Sequence, residues 1–145
     1  MNRPNSIFVY GTLKRGECRE NAWPLPSRKV AAARVRAEMY DLGPYPAIIS
    51  GDDWVLGERW EFAPQDLLAT LKVLDEIEGY RNRADDLYQR QIVSCWGGSG
   101  VSAEIIGVGK PTVVAAYAYF FSEAEHLKRV AHRIIPHGNV CQWGR

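Results

Sequence analysis

The 145 residues carry 18 basic and 17 acidic side chains for a formal net charge of +1, with 46% hydrophobic and 24% charged residues. That length is expected of one domain, residues 1–145, able to bury its own core, and the near-neutral charge gives no electrostatic footing for nucleic acid or an anionic membrane as partner. No apolar run is long enough to span a bilayer, and Cys18, Cys95 and Cys141 form an odd, scattered set that argues against a clustered zinc site and points to a reducing, cytoplasmic setting.

Ile7 to Tyr10 is β-branched and aromatic between Asn5-Ser6 and Gly11, the pattern of a central strand. Residues 17–29, with Trp23, Pro24 and Pro26, read as an irregular excursion. From Val30 to Leu42, Val35, Ala37 and Met39 alternate with Arg34, Arg36 and Glu38, the period of a half-buried strand. Gly43-Pro44-Tyr45-Pro46 breaks the chain before the short apolar run Ala47-Ile48-Ile49. Trp54 to Phe62 is then expected to be a further strand, paired to its predecessor through a turn at Gly51-Asp52-Asp53.

Pro64 to Glu78 is the clearest helix. Proline suits its first turn, Asp66 sits near its positive end, and Gly79 is placed to close it in a left-handed cap. Leu67, Leu71, Leu74 and Ile77 make its apolar stripe. Tyr88 to Trp96 and Thr112 to Phe121 are two further strands, joined by a Gly/Ser-rich connection expected to be a mobile loop. Glu123 to Ile135 is expected to form a second helix, ended by Pro136 and Gly138. Strands around one or two flanking helices, without regular βαβ alternation, give an α+β fold with a mixed, curled sheet.

The segment Gly11-Thr12-Leu13-Lys14-Arg15-Gly16 matches the first six positions of a phosphate-binding P-loop. The next two positions should then hold a lysine for the phosphates and a hydroxyl for magnesium. They hold Glu17 and Cys18, which would repel the one and ligate the other poorly. What survives is a turn whose successive backbone N–H groups form a concave array suited to a carboxylate, flanked by the hydroxyls of Tyr10 and Thr12. A plain tight turn with solvated Lys14 and Arg15 accounts for the same residues.

Glu78 follows Leu67, Leu71 and Leu74 on one helical face, whereas Asp75 and Glu76 lie on other bearings and can stay in water. A carboxylate on a core-facing stripe at a helix C-terminus is disfavoured by burial and by the macrodipole. Both raise its pKa towards the range of a general acid/base. Periodicity leaves open the alternative in which the helix end frays and Glu78 points outward or pairs with Arg81, Arg83 or Arg90. His126, His132 and His137 lack a ligand spacing, so no metal is expected, and Cys95 reads as a small core residue. Among seven tyrosines, Tyr88 and Tyr117 are the best placed on strands to line a polar-tipped pocket, with Gly43-Pro44-Tyr45-Pro46 as a possible wall or a plain turn.

Together the segments VYGTLKRG (9–16), YDLGPYPAII (40–49), GERWEF (57–62), LDEIEGY (74–80) and YQR (88–90) resemble the gamma-glutamylcyclotransferase-like family. The resemblance implies a small barrel-like mixed sheet around a pocket. It assigns Tyr10, Gly11, Thr12 and Leu13 to holding the α-carboxylate and amine of a γ-glutamyl group, and Glu78 to catalysis. The implied reaction, of transferase or lyase type, is an intramolecular cyclisation of a γ-glutamyl amine or peptide to 5-oxoproline with release of an amine. It needs no cofactor and only a small-molecule partner. A non-catalytic module capturing amino or carboxylate ligands in the same loop is the rival from another class. A nucleotide-binding protein is a third, opposed by Glu17 and Cys18.

Overall fold

Every residue of the first strand, β1 (Ser6–Val9), is buried, and alternation divides it between two cores. Ile7 and Val9 join one cluster with Leu67, Leu71 and Leu74, while Phe8 and the adjacent Tyr10 join another with Val35, Ala37, Met39, Ala116 and Ala118. A strand buried on both faces is a continuous apolar run, which is why SIFVY carries no polar alternation. The computed structural model describes residues 3–97, 112–137 and 140–143. The connection expected to be a mobile loop lies outside these residues, apart from its first glycine.

Strands β2 (Lys29–Asp41) and β3 (Pro46–Glu61) form a long antiparallel hairpin, from Lys29 opposite Glu61 to Asp41 opposite Pro46. Strand β3 also pairs antiparallel with β1, and β1 pairs in parallel with β5 (Thr112–Phe121). Strand β5 is antiparallel to β4 (Tyr88–Gly97), and β4 meets β2 at Arg34 and Trp96. The order β2-β4-β5-β1-β3 therefore returns to β2 and closes a five-stranded mixed barrel. Closure leaves none of these strands with a free edge along its whole length. Two-residue strands β6 (His132–Arg133) and β7 (Val140–Cys141) extend β2 and β3. This is the α+β fold expected from the sequence.

Helix α1 (Pro64–Glu78) buries Leu67, Leu71 and Leu74 in the cluster shared with Ile7, Val9, Trp60 and Tyr119, so it lies on the outside of the barrel wall. Gly79 ends it at φ 71°, with its N–H on the Glu76 carbonyl and the Tyr80 N–H on the Asp75 carbonyl at 2.8 Å. This paired arrangement satisfies carbonyls the helix would otherwise orphan, and it fixes the helix end at Glu78. Among the described residues, no helix is long and apolar enough to cross a membrane.

Two elements differ from expectation. Trp54 does not begin a new strand after a turn: Glu38 pairs with Ile49 and Ala37 with Asp53, so residues 50–52 are a bulge within one continuous β3. Both apolar runs find their partners on the same β2, and that shared ladder leaves no reversal between them. The second helix, α2 (Ala124–Val130), stops five residues before the expected end. Ala131 is extended, His132 and Arg133 pair with Asp41 and Tyr40, and the Ile134 N–H donates to the Met39 carbonyl at 2.8 Å. The edge of β2 offers this stretch a ladder, and the β-branched Ile134 and Ile135 that follow suit an extended chain better than another helical turn.

Candidate active site

The turn after β1 is held from several sides through its carbonyls and side chains. The Arg19 N–H donates to the Thr12 carbonyl at 2.8 Å, and the Trp23 indole donates to the Leu13 carbonyl at 2.9 Å. Trp23 is itself stacked on Trp60, with ring centroids 4.2 Å apart. Lys14 is buried, and its ammonium donates to the Trp143 carbonyl at 2.6 Å, while Arg15 pairs with Glu58 at 2.9 Å. The picture of two solvated cations is thus corrected for Lys14, while Arg15 stays exposed. Burial holds the Lys14 ammonium below its ordinary pKa. The N–H groups of Gly11, Thr12 and Leu13 have no acceptor among the described residues, although all three residues are buried. Unpaired donors in buried backbone are rare, and three in succession suit an anionic guest. Gly11 is needed here because a Cβ would lie 2.8 Å from Cγ and Cδ of Pro46.

Glu78, the last residue of α1, is half-buried. Among the described residues nothing donates a hydrogen bond to its carboxylate and no cation forms an ion pair with it, so the alternative pairing with Arg81, Arg83 or Arg90 does not occur. Burial raises its pKa, with the Arg19 charge opposing. Arg90 instead pairs with Asp75 Oδ2 at 2.6 Å. Asp75, whose bearing would let it stay in water, is instead partly buried. It also accepts the Tyr119 hydroxyl at 2.6 Å, because its bearing faces β5 rather than solvent. After the helix, Asp86 accepts the N–H groups of Arg81 and Arg83 and holds the following loop; the Arg83 bond is the largest cause of its lowered pKa.

These elements meet around one cavity of about 180 Å³ at the end of the barrel where β1 leaves. Tyr10, Gly11, Thr12, Leu13, Tyr88 and Glu78 all line it. Tyr117 does not; it packs at the edge of the core, 5.3 Å from the Arg90 guanidinium. Tyr119, two residues on, takes that place, and Arg19, Tyr45 and Pro46 contribute further wall. The Tyr10 hydroxyl donates to the Tyr119 carbonyl at 2.7 Å, and the Tyr88 hydroxyl to the Pro46 carbonyl at 3.3 Å. Burial is the main cause raising the pKa of both phenols, with the nearby Glu78 charge adding to it, so they stay neutral donors. Arg19 and Tyr119 escaped the sequence reading: the first sits in an irregular stretch, and the second shares a strand face with Tyr117. Cys95 is buried as expected, its thiol pushed up to about 12. The cavity therefore offers free amide donors for an anion and a carboxyl whose pKa burial raises.

Comparison with known proteins gives the family. The profile described as Gamma-glutamyl cyclotransferase, AIG2-like matches residues 7–143. A protein of Vibrio cholerae serotype O1, provisionally named gamma-glutamylcyclotransferase, is 26% identical over 138 residues, covering 94% of this chain and 95% of its own. The fold resembles the crystal structure of an AIG2-like protein from Mus musculus, with a TM-score of 0.59 and 19% identity over 99% of this chain and 98% of that one. It also resembles YkqA from Bacillus subtilis, with a TM-score of 0.54 and 19% identity over 82% of this chain; the match spans 36% of that longer protein. The chain belongs to the gamma-glutamyl cyclotransferase, AIG2-like family.

Proposed function

We propose that this protein cyclises a γ-glutamyl amine or peptide to 5-oxoproline and releases an amine. The observation that carries the proposal is that Glu78 and the unpaired amides of Gly11, Thr12 and Leu13 line one cavity. The amides hold the α-carboxylate of the glutamyl unit, with the Tyr10 and Tyr88 phenols beside it. Glu78 takes a proton from the α-ammonium. The freed amine then attacks the γ-carbonyl carbon, and the bond to the leaving nitrogen breaks as Glu78 returns the proton to it; the second proton, shed by the ring nitrogen as the five-membered lactam forms, passes through the emptied carboxylate to the released amine. Nucleophile and electrophile belong to the same molecule, so the protein's task is to hold the folded conformer and move protons. A raised carboxyl pKa suits both halves of that transfer.

The test is 5-oxoproline release from a panel of γ-glutamyl amines, γ-glutamyl amino acids and glutathione, comparing wild type with Glu78→Gln. Wild type is expected to turn over at least one class, and the variant to lose about 10²–10⁴-fold in kcat, the usual share of a positioned acid/base. Retained turnover in the variant removes Glu78 from the chemistry. Thermal stabilisation by the panel without product favours a binding module instead.

A further inference from the structure

Among the described residues that line the cavity, Arg19 is the one cation and Glu78 the one acid. Arg19 is exposed, so it stands at the rim rather than the floor. Its backbone is fixed to the amide turn: its N–H donates to the Thr12 carbonyl at 2.8 Å, and its own carbonyl accepts the Ala22 N–H at 2.9 Å. The guanidinium has neither an ion-pair nor a hydrogen-bond partner among the described residues, although its charge acts on the Glu78 carboxyl and the Tyr88 phenol. A cation anchored to a binding turn and left unpartnered at a rim is placed for an anionic group of the guest.

We infer that Arg19 selects substrates whose leaving amine carries a carboxylate, as in a γ-glutamyl amino acid, over those with a neutral or cationic amine. The inference rests on the proposed cyclisation. The α-carboxylate of the glutamyl unit is accounted for by the buried amides of residues 11–13. The leaving portion is the part of the substrate that must reach solvent, and it passes the exposed rim where the guanidinium stands. Arg19 acts as a specificity residue: it touches no atom whose bonds change.

The experiment compares kcat/KM for γ-glutamyl-glycine, γ-glutamyl-methylamide and γ-glutamyl-(4-aminobutyl)amide in wild type, Arg19→Gln, Arg19→Lys and Arg19→Glu. Wild type is expected to prefer the glycine compound, and Arg19→Gln to lower the glycine-to-methylamide ratio by about tenfold, the scale of one charge-assisted contact. Arg19→Lys keeps most of the preference, and Arg19→Glu shifts it towards the aminobutyl compound. If Arg19→Gln slows the glycine and methylamide compounds equally, the guanidinium serves the shared glutamyl half and the assignment is overturned. An unchanged ratio overturns it as well. If wild type releases 5-oxoproline from none of the three, the cyclisation itself fails, an outcome distinct from a failure at Arg19.

Discussion

The Tyr119 hydroxyl donates to Asp75 Oδ1 at 2.6 Å, so a residue that lines the cavity is tied to the helix one turn before Glu78. The other oxygen of Asp75 holds Arg90, and the Tyr119 carbonyl receives the Tyr10 hydroxyl. One tyrosine therefore connects the barrel strand, the helix end and the start of the amide turn.

Tyr119→Phe should reveal what that brace does. Asp75 keeps its Arg90 partner, so the loss of stability is expected to be modest, about 1 kcal/mol by urea denaturation. Turnover is expected to fall through kcat more than through KM, because the aim of Glu78 is loosened while the amide turn stays in place. A variant with full kcat would show that the helix end holds itself.

Burial raises the Glu78 carboxyl above its ordinary value of 4.5. The folded protein then binds this proton more tightly than the unfolded chain does. The fold is spared the penalty below the ordinary value and bears it increasingly as pH rises through the folded value. Glu78→Gln has no such dependence. Its urea midpoint should gain on that of wild type as pH rises above about 4, and the gain should level off once pH passes the folded value. A difference independent of pH would mean that the carboxylate is solvated.

Gly11→Ala would place a methyl group 2.8 Å from two ring carbons of Pro46. Neither partner yields easily: one is backbone in a braced turn, and the other is a proline ring whose carbonyl receives Tyr88. Overpacking of this kind costs about 1–3 kcal/mol, measurable by chemical denaturation. A rise in KM is expected with it, since the amides move relative to Glu78. Wild-type stability and KM together would show that the turn has slack.

Local chemistry made much of this legible in advance. Pro64 and Gly79 bracket α1, and continuing its leucine line leads to Glu78, so the helix and its acid both follow from a 3.6-residue period. The alternation of Val35, Ala37 and Met39 likewise marks β2. What stayed hidden depends on register between distant segments. Tyr117 and Tyr119 have the same parity on β5, and only the position of α1 decides which one meets Asp75. Whether Ser50, Gly51 and Asp52 turn or bulge depends on which strand faces Ile49 and Asp53. Arg19 belongs to no periodic element, and a hydrogen bond to Thr12 brings it to the rim.

Tyr10 and Tyr119 are joined across 109 positions, and β1 waits for β5 to supply its parallel neighbour at Tyr117. During synthesis the glycine turn emerges before the acid, and the strand that brings them into register emerges after both. Such long-range pairing folds late and slowly. A nascent chain cut short before Thr112 would thus hold both reactive pieces without a chamber to put them in.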